Sequence, residues 1–520
     1  MRPRIVLPIT IALLALALSA GGQSPQPGTP MTLEQCLLRA MERNLGLRIQ
    51  VLEPEIAAGN VTLAAERFIP TLSFQRMLQS QISPSFSFLD AAERVTDDFK
   101  SYGAQFDQAL PTGGTLTATV GSSRSENNRN FQTINPRFNG RLAFEFSQPL
   151  LKDFGLRVPR REIIVARNRR DIAETTYRQA LLDTLYQVEE AYWNLVFCIE
   201  DLKVKQQSLD LARDLLARNR QEREIGMLAP IEVTTAESEV ASREADILQA
   251  EVLVRNREDE LRTILAVTPK DGDIPGPIDP SDRPIVGKRD LTIDSALALA
   301  MAGRPEIAAA RLDLKGKDFD LTYARNQLLP SLSLDFSYWS PGVSGTQILY
   351  EGGNPLTGII IGRVPGASTD ALRDALHFKY KNWSVDLTFS IPLSTVLTRA
   401  SAVTARAGLE QSRLRLEQTE QQIFLEVRNA VRDVEANAKR VEATAAARVL
   451  AAKRLEAEER KHKVGMSKNY DVVLAQRDLA AARGQELRAR IDSALSAARL
   501  DKATGTSLER RNIKLTDSGD

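Results

Sequence analysis

The sequence predicts an internally duplicated, mainly α-helical protein whose coiled-coil helices alternate with strands of a transmembrane β-barrel. Three observations predict it. One ordered series of landmarks occurs twice, apolar residues recur with a heptad period over long unbroken stretches, and between those stretches apolar and polar residues alternate.

Arg2 and Arg4 precede the apolar run Ile5 to Leu18, which ends in Ser19-Ala20-Gly21-Gly22. A charged start, a short apolar core and a small-residue end read as a secretory signal over residues 1–22, cut between Ala20 and Gln23. The run holds Pro8 and falls short of the ~20 residues that a membrane helix needs. No cysteine sits just after the cut, so no lipid anchor is expected, and no later apolar stretch reaches ~18 residues. A mature chain that crosses a membrane therefore does so with strands.

The duplication is read from ordered matches. Thr32-Leu33-Glu34 matches Thr292-Ile293-Asp294, and Pro70-Thr71-Leu72-Ser73 matches Pro330-Ser331-Leu332-Ser333. Phe146-Ser147-Gln148-Pro149-Leu150 matches Phe389-Ser390-Ile391-Pro392-Leu393. Ile225-Gly226-Met227 matches Val464-Gly465-Met466, and Glu232-Val233 matches Asp471-Val472. The order never changes, so each half is one copy of a unit with loops of different length. The copies are expected over residues 31–267 and 291–505. Between them residues 268–290 hold five prolines and read as an extended linker, and residues 506–520 read as a loose polar tail.

Each copy should open with a helix, continue in strands (about 70–150 and 330–393) and close with a long helical hairpin (157–266 and 399–505). In the first hairpin Leu181, Leu185, Val188, Tyr192, Leu195, Ile199 and Leu202 are spaced by four and three. Val427, Val431, Val434, Ala438 and Val441 repeat that stripe in the second. The return helix carries Val233, Val240, Ile247, Val254 and Leu261 every seventh residue. This is the period of supercoiled helices packing knobs into holes. No proline interrupts the chain from Arg160 to Ile225, so that helix is about 100 Å long. The hairpins turn near Gly226 and Gly465.

The strands alternate with period two. Leu332, Leu334, Phe336 and Tyr338 alternate with serines and Asp335, and Trp383, Val385, Leu387, Phe389 and Ile391 with Ser384, Asp386, Thr388 and Ser390. In the first copy Leu142, Phe144 and Phe146 alternate with Arg141, Ala143, Glu145 and Ser147. Such segments fit a half-buried soluble sheet as well as a barrel; two copies in an exported chain favour the barrel. Tyr338, Trp339 and Trp383 suit the membrane interface. A few strands leave unpaired edges that lipid does not tolerate, so several chains must share one barrel. A further hairpin is expected within Phe99 to Arg124, around the turn Leu110-Pro111-Thr112-Gly113-Gly114. Either both arms enter the membrane or they fold over the barrel mouth.

Composition excludes other classes. With 68 basic and 67 acidic residues the net charge is +1, no basis for binding nucleic acid. Only His377 and His462 are present, against a histidine-rich metal or catalytic centre. Cys36 and Cys198 read as small buried residues, with one bridge left open. The run Arg157, Arg160, Arg161, Arg167, Arg169 and Arg170 either touches inner-leaflet phosphates or covers a solvated helix face.

From Thr32 to about Gly505 the chain resembles the TolC family of outer-membrane efflux channels. The resemblance rests on Thr32-Leu33-Glu34-Gln35, the strand starts at Pro70 and Pro330, and the turns Ile225-Gly226-Met227 and Val464-Gly465-Met466. It implies a homotrimer with a shared twelve-stranded barrel in outer-membrane lipid and a helical tunnel through the periplasm. It also implies a periplasmic adaptor and an inner-membrane pump as partners, passive transport, no cofactor and no catalytic residue. Leu142, Phe144, Phe146, Leu332, Leu334, Phe336, Val385, Leu387 and Phe389 would face lipid, and Gly226, Met227, Gly465 and Met466 would form the adaptor-docking tip. Glu232 and Asp471 align with an acidic tip constriction; the alternative is that they serve the dipole of a helix start. Ile231 and Tyr470 stand where the family often has threonine, and Leu474 occupies the second aspartate position, so a double aspartate gate is not implied. The competing function is that of the periplasmic adaptor itself, for which one hairpin between halves of a β-domain is expected rather than two tandem copies.

Overall fold

A computed structural model describes residues 28–86, 90, 92–267, 276–284, 291–464, 466–511 and 513. The expected signal over 1–22, Gly465, and most of the linker and tail lie outside the described residues. In chain order the elements are β1 (Thr29–Met31), α1 (Leu33–Arg43), α2 (Leu45–Glu66), β2 (Thr71–Pro84), β3 (Arg94–Ala109), β4 (Thr115–Asn127), β5 (Ile134–Pro149), α3 (Arg161–Glu224) and α4 (Pro230–Ile264). They continue with β6 (Ile278–Pro280), α5 (Ile293–Gly303), α6 (Pro305–Asn326), β7 (Ser331–Tyr350), β8 (Ile360–Val364), α7 (Ser368–Leu376), β9 (Asn382–Ser390), α8 (Val396–Lys463), α9 (Asn469–Thr504) and α10 (Ser507–Arg510). The chain divides into two compact units.

The first unit is built mainly from helices: α1, the C-terminal parts of α3 and α8, α4 and most of α9. α3 has 64 residues and α8 has 68, rods of about 96 and 100 Å. Their heptad stripes are the core: Leu185, Val188, Tyr192, Leu195 and Val434 are buried. Further along, Leu215 of α3 packs with Leu455 of α8 and with Val472, Val473 and Leu479 of α9. Leu216 packs with Val233 and Ala236 of α4. Both hairpins therefore join in one bundle.

The start of the chain is clasped to this bundle. α1 opens with a capping box in which Thr32 and Gln35 satisfy each other's backbone N–H groups. Within the proline-rich joint, β6 pairs in parallel with β1, so part of this extended segment is docked. Fully buried Tyr192 sets its hydroxyl 3.1 Å from the Met31 carbonyl and 3.1 Å from Asp282 Oδ2, and it accepts the Asp282 N–H. The same carboxylate accepts the Leu33 N–H at 2.6 Å. Cys36 and Cys198 are both free and buried, which closes the question of a bridge between them. Burial pushes the Cys36 thiol up to about 12, so it stays protonated.

The second unit is a sheet with helices leading to and from it. All neighbours are antiparallel, in the order β2-β3-β4-β5-β7, and β8 and β9 pair with different halves of the long β7. The sheet is thus six strands wide. Its free edges are β2 on one side and β8 with β9 on the other. The helix junctions, from α2 into β2, β5 into α3, α6 into β7 and β9 into α8, all fall at one end of the sheet. The tail begins as one helical turn, α10.

Candidate membrane face and helical tips

Register decides which side chains share a face. Leu72, Phe106, Ala118, Phe144, Tyr338 and Trp383 lie on one rung across all six strands. Toward the helix junctions, the next rungs on this face hold Leu116, Phe146, Phe336 and Val385, then Leu334 and Leu387, then Leu332 and Phe389. Away from them the next rung holds Phe74, Ala104, Val120 and Leu142. The nine residues expected to face lipid therefore share one continuous face. From Leu332 to Ser340 the band covers about 27 Å of strand, or about 20 Å of depth at a 40° tilt, close to the ~25 Å apolar band of an outer-membrane barrel.

The opposite face is polar. Asp107, Thr117, Glu145, Ser337 and Ser384 share a rung, and Thr115, Ser147, Asp335 and Asp386 share the next one on that face. Trp339 turns to this side with Ala143, which corrects its expected place beside Tyr338 and Trp383: consecutive strand residues alternate faces. The hairpin within Phe99 to Arg124 forms β3 and β4, and both arms pair within the sheet.

Part of the apolar face is covered by the chain itself, which sequence reasoning missed. α7 lies against β5 and β7 with Ala371 and Ala375 fully buried. Gly140 leaves room for it, since a Cβ there would stand 2.5 Å from the Ala371 carbonyl; one at Gly342 would strike the same oxygen. Just after α7, Phe378 stacks on Phe144 at 6.4 Å and tilts against Tyr338 at 5.5 Å. The signal was the small-residue row Gly140, Ser340 and Gly342, which has no hydrophobic period to find. Arg161 bonds Asp320 at 3.1 Å and lies over the Tyr323 ring, while Arg160, Arg167 and Arg169 are exposed.

The tips belong to the first unit. α3 ends with Gly226 in the left-handed region at φ 76°, its N–H on the Arg223 carbonyl and that of Met227 on the Glu222 carbonyl. This closure leaves the last carbonyls satisfied and needs a residue without a Cβ penalty. Pro230 then starts α4 at its first turn. At the second turn Met466 N–H reaches the Lys461 carbonyl. Met227 and Met466 are each 78% exposed, and Ile225, Ile231, Val464 and Tyr470 are exposed beside them in sequence. Asp471, in the first turn of α9, reaches back so that its Oδ2 accepts the Lys468 N–H at 3.2 Å and lies 3.4 Å from the Ser467 hydroxyl, the return bond of a capping box. Glu232 stands half-buried in the first turn of α4.

Among the described residues no helix is long and apolar enough to cross a membrane, and no group of three or more His, Cys, Asp or Glu residues could hold a metal. Comparison with curated protein sequences finds no match. The structure is similar to the outer-membrane channel OprN, with a TM-score of 0.65 at 16% identity over 91% of this chain and 90% of that one. It is also similar to the Campylobacter jejuni CmeC outer-membrane channel, with a TM-score of 0.64 at 15% identity over 100% and 99%. The Neisseria gonorrhoeae MtrE outer-membrane channel gives 0.62 at 20% identity over 93% and 91%. The family model for outer membrane efflux protein matches residues 91–267 and 296–506, so both halves of the chain belong to the outer membrane efflux protein family.

Proposed function

We propose that three copies of this outer-membrane efflux channel join their sheets into one closed barrel and their helices into a duct. The duct receives cargo from an inner-membrane pump through a periplasmic adaptor. Transport is passive and uses no catalytic residue or cofactor. The observation that carries the reading is a sheet with one apolar face, one polar face and two free edges. In lipid, the apolar face gains by contact with acyl chains while unpaired N–H and C=O groups cost several kcal/mol each, so the edges must find strands. On α2, Leu45, Ile49, Val51, Leu52, Ile56 and Leu63 are exposed, as expected of a surface covered by another copy.

The two turns are the surface we assign to the adaptor: Gly226, Met227, Gly465 and Met466, with the exposed Ile225, Ile231, Val464 and Tyr470 near them in sequence. Glu232 and Asp471, three copies of each, are assigned to the constriction there. The adaptor reading of the chain itself has no support, because the family match covers two tandem hairpins.

Fractionation tests the proposal. Expressed in a cell with a double-membrane envelope, the chain should enter the outer-membrane fraction and run as a trimer that dissociates only on heating. A soluble monomer in the periplasmic fraction would refute it.

A further inference from the structure

We propose that the barrel is built from eighteen strands rather than twelve, each chain supplying six, with β2 of one copy pairing with β9 of the next. This rests on the reading of the chain as a three-copy channel.

The two additional strands are β3 and β4. A twelve-stranded barrel would need β2 to lie beside β5. Here β3 and β4 lie between them, β3 paired with β2 from Thr71↔Asp107 to Pro84↔Arg94 and β4 with β5 from Thr115↔Ser147 to Ser125↔Arg137. The hairpin also obeys the two-sided pattern of the rest of the sheet. Ala104, Phe106, Leu116, Ala118 and Val120 fall on the apolar face, and Gln105, Asp107, Thr115, Thr117 and Thr119 on the polar one. A hairpin folded over a wet barrel mouth has no need of that alternation; one standing between lipid and lumen does.

Its turn is fixed to the inner end of the sheet. Thr112 Oγ1 donates to Gln148 Oε1 at 2.8 Å, and Gln148 Nε2 donates back to the Thr112 carbonyl at 3.1 Å. The Gly155 N–H reaches the same carbonyl at 3.3 Å. Gly113, at φ 95°, sits against the Asp153 carbonyl with no room for a side chain. Swinging the hairpin out would break these bonds and two full strand ladders.

The edges say what covers them. Leu72, Phe74, Leu78 and Ile82 of β2 are exposed, as are Trp383, Val385, Leu387 and Phe389 of β9. β2 runs away from the helix junctions and β9 runs toward them, so the edge of one copy meets that of the next in antiparallel sense. Six strands per chain keep the total even and the alternation unbroken around the ring, and a second copy of this chain is the strand donor. Barrel diameter grows nearly linearly with strand number, so the bore is about 1.5 times that of a twelve-stranded barrel of the same tilt.

Paired cysteines test this in full-length chain carrying Cys36→Ala and Cys198→Ala. One pair is Leu72→Cys with Phe144→Cys, neighbours only if β2 lies beside β5. In the six-stranded sheet they are three strand spacings apart, about 14 Å, beyond the ~7 Å reach of a disulfide. The other set combines cysteine at Leu72, Phe74 or Leu78 with cysteine at Trp383, Val385, Leu387 or Phe389, scanning the register of the seam. After oxidation of outer membranes, we expect covalent dimers and trimers from the in-register seam pairs and no bond from the Leu72–Phe144 pair. A Leu72–Phe144 bond in chains that still form trimers would overturn eighteen strands and leave the channel standing. Trimers in which no seam pair links would overturn the β2–β9 junction, and a bond to an unrelated protein would replace its partner. Loss of trimers from the cysteine-free parent would remove the channel reading itself. A fluorophore on Phe106→Cys supplies a second readout: doxyl-lipid should quench it, and quenching only by aqueous iodide would place the hairpin outside the membrane.

Discussion

Glu239 does more for the helical unit than its place on a return helix suggests. It is 7% exposed and accepts from Arg243 Nε at 2.8 Å and from Arg477 Nε of α9 at 2.9 Å, while Arg243 also donates to the Ser208 carbonyl of α3. The hydrogen bond from Arg477, helped by that from Arg243, holds the carboxyl below the usual carboxylate range against the opposing effect of burial. A lowered folded value stabilises the ionised side, so the contribution is complete above the ordinary carboxylate range and is lost as pH falls through the depressed value. Glu239→Gln leaves Arg243 buried without its anion. Removing one partner of a fully buried pair costs about 3–5 kcal/mol, and Arg477, largely in water, brings the expected loss to about 2 kcal/mol. Thermal unfolding against pH checks this: the variant should melt lower at neutral pH and lose part of the wild-type decline in acid. Asp471 separates two roles that share one carboxylate. An Asn amide oxygen can still accept the Lys468 N–H but carries no charge, so Asp471→Asn should keep the tip's melting behaviour and lower cation over anion permeability in planar bilayers. Unchanged selectivity would leave Asp471 a cap alone.

Among the elements, the hairpin tips and α7 make separate predictions. Met227→Ser with Met466→Ser changes two side chains that stand mostly in water, so trimers and bilayer conductance should persist while cross-linking of the tip to its periplasmic adaptor in whole cells falls at least several-fold. Undiminished cross-linking would move adaptor docking elsewhere. Gly342→Val drives a side chain into the Ala371 carbonyl; overpacking of this kind costs about 1–3 kcal/mol, and faster hydrogen exchange at Ala371 and Ala375 should report the loosened α7. The sequence makes some elements legible and hides others for physical reasons. Leu332 to Tyr338 and Val385 to Phe389 announce their face because a strand in lipid must alternate, and Val188 to Leu202 announce a rod through their heptads. The place of β3 and β4 was open because it depends on which strands they pair with, as in Leu72↔Phe106, and not on their own pattern. α7 was invisible because Gly140, Gly342, Ala371 and Ala375 dock by being small, and the Trp339 side chain was misplaced by counting aromatics without assigning faces.

For the whole molecule, the apolar sheet face, the free strand edges and the exposed apolar α2 all mark one chain as an incomplete channel. A lone copy would carry unpaired edge backbone into lipid, whereas a ring leaves none. Native mass spectrometry of the particle extracted from outer membranes measures this most directly. Particles of three identical chains that require detergent or lipid to stay in solution are expected; a particle of one chain, soluble without either, would contradict the shared barrel.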